Sequence, residues 1–110
     1  SIATATNVAE LHNGEVKTYT IEPEDFGMVR ADLEQIRADD SSHSLEIIKA
    51  VFDNVEGPAK DIVCLNAGAA IYAAGLTSSL ADGVKKAQDV VASGAVAEKL
   101  EQLIAKTNDY

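Results

Sequence analysis

The sequence predicts an α/β fold, a β-hairpin over residues 1–22 followed by four to five helices over residues 23–110, and it predicts this as an incomplete part of a single α/β domain. Three observations carry the reading. The pair Asn13-Gly14 sits between two alternating segments, apolar residues recur at helical spacing from Gly27 onward, and the stretch KDIVCLNAGAAIYAAGL, residues 60–76, is apolar on every face except at Asn66. A helix that is apolar all round must be covered on all sides, and 110 residues have little else with which to cover it.

Within NVAELHNGEVKTYTI, Asn13-Gly14 supplies the two positive-φ positions of a tight hairpin turn. With His12 and Glu15 flanking the turn, Leu11 faces Val16, Glu10 faces Lys17, Ala9 faces Thr18 and Val8 faces Tyr19. Ala9, Leu11, Val16 and Thr18 then share a face that is expected to be covered, while Glu10 and Lys17 are expected to form a cross-strand ion pair on the other. Such a hairpin is a marginal sheet alone, so its completion is expected from residues that precede Ser1.

Pro23 suits the first turn of a short helical segment, PEDF, which Gly27 can end. RADLEQIRA is a short helix candidate, and SSHSLEIIKAVF a clearer one, in which Leu45, Ile48, Phe52 and Val55 recur at helical spacing. Gly57-Pro58 breaks that helix and starts the next, with Gly75 just past its end. In TSSLADGVKKAQDVVASG, Ser79 with Asp82 resembles a capping box, Leu80, Val84, Ala87 and Val91 make the apolar stripe, and Gly94 closes the helix. The last helix is predicted from about Ala95 to Lys106, burying Val96, Leu100, Leu103 and Ile104.

Composition narrows the function classes. The chain is 46% hydrophobic and 25% charged, the balance of a folded protein. Its net charge of −9 opposes binding to nucleic acid or an anionic membrane surface. The apolar stretch is shorter than the roughly 20 residues of a spanning helix. Cys64, the single cysteine, fits a reducing, cytoplasmic setting. The sequence starts at Ser1 and its only methionine is Met28, so either a removed leader or a fragment of a longer protein is expected.

Candidate chemistry is sparse, and the sequence predicts no catalytic, substrate-binding or metal-binding residue. His12 and His43 have no second histidine or cysteine at ligand spacing. Glu22, Glu24 and Asp25 of EPED, and Asp39 and Asp40 of ADD, read as solvated charges in polar turns rather than an acid/base pair. Cys64 reads as an inert core thiol. Asn66 is the residue that asks for an explanation: an unpaired buried amide costs about 1–3 kcal/mol, so it is expected to be buried and paired to backbone at a strand end.

Taken in order, TATNVAELHNGEVKTYTIEPEDFGM, EGPAKDIVCLNAGAAIYAAGL and GVKKAQDVVASGAVAEKLEQLI resemble the C-terminal part of the anthranilate phosphoribosyltransferases, from about Thr4 to Ile104. The most specific pieces are Val8-Ala9-Glu10-Leu11 with Gly14, the Pro23, Phe26 and Gly27 turn, Gly57-Pro58 with Asp61, Leu65-Asn66-Ala67 and Ser93-Gly94-Ala95. One departure is Ser42-His43-Ser44-Leu45, where the family usually has an Asn-Ala pair. The resemblance implies the C-terminal portion, residues 1–110, of an α/β domain of the phosphoribosyltransferase and nucleoside-phosphorylase type. It further implies transfer of phosphoribosyl from phosphoribosyl pyrophosphate to anthranilate with magnesium assistance, in a homodimeric enzyme of tryptophan biosynthesis. The family's pyrophosphate loop, anthranilate contacts and magnesium-binding Asp-Glu pair have no counterparts here. The chain alone is therefore expected to bind no cofactor and to be inactive, its partner being the remainder of the enzyme. Alternatives are a fragment of a related nucleoside phosphorylase and a non-catalytic helical binding module.

Overall fold

The structure, a computed structural model, describes residues 1–110. Asn13 and Gly14 take positive φ values of 51° and 78°, and this turn sets strands β1 (Thr6–His12) and β2 (Glu15–Ile21) antiparallel, in the register expected from Leu11 opposite Val16 through Val8 opposite Tyr19. They form a two-stranded sheet. Pro23–Phe26 is a single 3-10 turn ended by Gly27. RADLEQIRA yields only one 3-10 turn, Leu33–Ile36, with Asp32 accepting from the Glu34 N–H.

Four α-helices follow, α1 (Ser41–Phe52), α2 (Pro58–Ala73), α3 (Leu80–Ala92) and α4 (Ala95–Thr107). Each starts as its sequence dictates. Asp40 caps α1 by accepting from the His43 N–H at 2.7 Å, Pro58 occupies the first turn of α2, and Ser79 caps α3 by accepting from the Asp82 N–H at 3.1 Å. At the end of α2 the Gly75 N–H donates to the Tyr72 carbonyl and the Leu76 N–H to that of Ile71, which satisfies two terminal carbonyls. No helix is long and apolar enough to cross a membrane.

The core lies where α2 crosses α3. Cys64 and Leu65 of α2 meet Val84, Ala87 and Val91 of α3, with Met28 closing one end. Gly68 and Gly83 stand at the crossing and allow the two backbones to touch. Ile2 is fully buried, and its carbonyl accepts from the Ala31 N–H at 2.9 Å, tying the first residues to the segment after Gly27.

Several expected faces are uncovered. Leu11 and Val16 are 72% and 67% exposed, and the partly buried side of the hairpin is the opposite one, Thr6, Val8, Glu10, Tyr19 and Ile21. On α1, Leu45 and Ile48 face outward and Val51 is the buried contact, and Val55, three residues past the end of the helix, is exposed as well. On α4, Leu103 and Ile104 are exposed and no residue is buried. Along α2, Val63, Asn66, Ala69, Ala70 and Ala73 are bare. The total accessible surface is 7353 Å², against roughly 5,800 Å² for a closed monomer of this size. The radius of gyration, 15.5 Å, likewise exceeds the roughly 13 Å of a compact chain.

Candidate functional site

A cavity of about 850 Å³ separates the hairpin from α2, with Val8, Glu10, Tyr19 and Ile21 on one wall and Leu65, Asn66, Ala69 and Tyr72 on the other. Strand alternation brings Glu10 and Tyr19 to the same face as diagonal neighbours. The Tyr19 hydroxyl donates to Glu10 Oε1 at 2.8 Å, and the Tyr72 hydroxyl, from the last turn of α2, donates to Oε2 at 2.6 Å. Glu10 therefore serves two tyrosines, and the expected ion pair with Lys17 does not form.

Electrostatics follow from these bonds. The hydrogen bonds from Tyr72 and Tyr19 hold the Glu10 carboxyl below its ordinary value, with His12 and Lys17 adding weaker attraction. Burial, then the bond to Glu10, pushes Tyr19 up to about 12. Tyr72 is raised chiefly by its bond to Glu10. A carboxylate so occupied and so acidic is a poor general base at neutral pH. Its role is to join elements.

A second polar group surrounds the start of α2. The Lys60 ammonium, almost wholly buried, bonds Glu56 Oε1 at 2.6 Å. Burial raises the Asp61 carboxyl, the charge of Glu56 adds to this, and Lys60 partly offsets it. Cys64, one turn on, is 1% exposed, and burial raises its thiol. A buried thiol without a facing base is not an activated nucleophile.

The remaining candidates are dispersed. Glu24 meets Arg30 at 3.0 Å and Glu22 meets it at 3.4 Å, while Asp25 Oδ2 accepts from the Glu22 N–H. The bond from Arg30 lowers the Glu24 carboxyl. Asp39 lies 3.6 Å from His43 Nδ1 beside the Asp40 cap. His12 lines the cavity at the turn end of β1. No three His, Cys, Asp or Glu side chains converge on a point where they could hold a metal ion. Asn66 corrects the expectation made for it: the residue is exposed, faces the cavity and has no hydrogen-bond partner. Sequence reasoning missed the Tyr19, Glu10 and Tyr72 chain. Its hairpin half was readable from the register, and its α2 half was not.

Residues 1–97 match the family model described as glycosyl transferase family, a/b domain. Among curated proteins, the anthranilate phosphoribosyltransferase of Thioalkalivibrio sulfidiphilus is 53% identical over 107 residues, which are 97% of this chain and 32% of that protein. The one from Methylococcus capsulatus is 50% identical over 110 residues, 100% of this chain and 32% of that protein. The crystal structure of anthranilate phosphoribosyltransferase from Thermus thermophilus superposes with a TM-score of 0.78 at 35% identity, over 90% of this chain and 30% of that one. The chain thus spans about a third of the length of the curated relatives it matches. With the family model covering most of its length and the hairpin and helices following a solved phosphoribosyltransferase, this chain belongs to the glycosyl transferase family, as part of its α/β domain.

Proposed function

We propose that the chain is the C-terminal portion of an anthranilate phosphoribosyltransferase, inactive alone and completing the α/β domain of the whole enzyme. The observation that carries this is identity of about half, 53% and 50%, to two curated anthranilate phosphoribosyltransferases over essentially its full length. In that enzyme the anthranilate nitrogen attacks the anomeric carbon of phosphoribosyl pyrophosphate and pyrophosphate departs. The parent is a cytoplasmic homodimer of tryptophan biosynthesis.

The geometry supports the partial role. The surface in excess of a closed monomer is about 1,500 Å², the scale of a standard protein interface, and uncovered apolar residues lie on the hairpin, α1, α2 and α4. Magnesium is implied for the whole enzyme, but the residues of this chain offer no convergent donor set for it, so no step is assigned to the ion here. What the chain supplies is framework: the α2 and α3 pair and the hairpin that stands over it.

The test is reconstitution. The isolated 110 residues, given anthranilate, phosphoribosyl pyrophosphate and magnesium, should show no turnover. Co-expressed with the part of the Thioalkalivibrio sulfidiphilus enzyme outside the matched third, they should restore it. Turnover by the chain alone, or no association and no activity with that complement, overturns the proposal.

A further inference from the structure

Asn66 stands within a bare stripe on α2. Val63, Asn66, Ala70 and Ala73 recur along it at helical spacing, and all are exposed. Between Asp61 and Asp82 no residue is charged. The outward faces of the neighbouring helices differ, α3 showing Lys85, Lys86 and Asp89 to solvent and α4 showing Glu98, Lys99 and Glu101. A helix face meant for water carries such charges, and a face without them is one that another surface covers.

What covers it lies outside this chain. The matched family domain is an α/β one, yet the chain holds only a two-stranded sheet. Two curated relatives are each matched over 32% of their length, so about two thirds of each lies beyond the matched residues. In such domains helices pack on the sheet. Once the stripe is covered, the Asn66 amide, which has no hydrogen-bond partner within the chain, leaves water and needs a partner on the covering surface.

We infer that Asn66 is the polar contact through which α2 docks on the rest of the α/β domain, its amide paired with the N–H and C=O of one main-chain residue there; this rests on the chain being part of an anthranilate phosphoribosyltransferase. The chemistry selects that partner. The amide presents a carbonyl acceptor beside an N–H donor, and the N–H and C=O of an extended residue, which point to the same side, offer the complementary pair without charge. A charged partner would be buried against a face that holds no opposite charge. Ala69, Ala70 and Ala73 beside it present only methyl groups, which leaves room for a main chain to approach.

Competition in the assembled complex tests it. A tagged copy of the Thioalkalivibrio sulfidiphilus enzyme lacking the matched third is co-expressed, in limiting amount, with the unsubstituted chain and one variant, and the ratio captured gives their relative affinity. Asn66→Leu and Asn66→Ala should each be captured about tenfold less than the unsubstituted chain. Asn66→Asp should be captured less again, because it sets a negative charge against the partner's carbonyl. The urea midpoint of each variant chain alone should not fall, since nothing within the chain uses the amide. Equal capture of Asn66→Leu and Asn66→Ala with the unsubstituted chain, full capture of Asn66→Asp, or a lowered midpoint would each overturn the inference and leave the reading of the whole enzyme standing. Capture of neither the unsubstituted chain nor any variant overturns both. A dimer of the isolated chain that Asn66→Asp breaks apart would give the face to a second copy and overturn the inference as well.

Discussion

Gly68 of α2 and Gly83 of α3 touch backbone to backbone. A methyl group on Gly83 would overlap the Gly68 carbonyl oxygen, and one on Gly68 would overlap Val84 Cα and fall 2.5 Å from the Val84 nitrogen. Neither neighbour is a flexible side-chain tip that could move aside. Gly68→Ala or Gly83→Ala should therefore destabilise the helix pair by about 1–3 kcal/mol or more, seen as a lower urea midpoint of the helical circular-dichroism signal. An unchanged midpoint would show that the crossing is looser than described.

Acid should weaken the attachment of the hairpin. The Glu10 carboxyl is held below its ordinary value of 4.5 by Tyr72 and Tyr19. A depressed carboxyl contributes stability that is complete above the unfolded value and is lost as pH falls through the folded one. Hairpin amide protection should hold down to about that ordinary value and decline below it, whereas Glu10→Gln should show no such acid step. A decline centred near neutrality would point to a different group.

Alkali should act through the other end. Tyr19 is raised to about 12, so its contribution is complete below the ordinary tyrosine value of 10 and lost as pH rises through about 12. Titrating the tyrosinate absorbance should reveal a late step near that pH that disappears in Tyr19→Phe. If all three tyrosines ionise together at the ordinary value, the hydroxyl is not held as described.

Cys64 should be chemically silent. It is 1% exposed and burial raises its thiol, so both access and thiolate population are low. A disulfide reagent should label the native chain far more slowly than the urea-unfolded chain. Equal rates would mean that the α2 and α3 core opens freely.

Asn66→Leu should be tolerated by this chain taken alone. With the amide exposed and unpartnered, substitution orphans nothing in this chain and improves helix propensity by up to about 0.5 kcal/mol. Stability should stay level or rise slightly in calorimetry. A loss above about 1 kcal/mol would indicate a paired amide after all.

Much of the local structure was legible because short-range chemistry sets it. Asn13-Gly14 determined every pair of the hairpin, Gly57-Pro58 and Gly75 bounded α2, and Ser79 and Gly94 bounded α3. Which faces are covered was not legible, since Leu11, Leu45 and Leu103 sit on well-formed apolar stripes whose partners are absent from these residues. RADLEQIRA formed only the turn Leu33–Ile36, in which Leu33 is exposed. The bond between Glu10 and Tyr72 lay beyond any periodicity, because it depends on where two distant elements come to rest.

That single distant bond also orders the events of folding. The hairpin and the α2 and α3 pair are each built from neighbouring segments, whose loops close quickly and at small entropic cost. Tyr72 reaching Glu10 closes a loop of 62 positions and only makes sense once both units exist. The α2 and α3 pair should therefore form first, and the hairpin, marginal alone, should gain its protection only on docking, a step sensitive to Tyr72→Phe while formation of the helix pair is not.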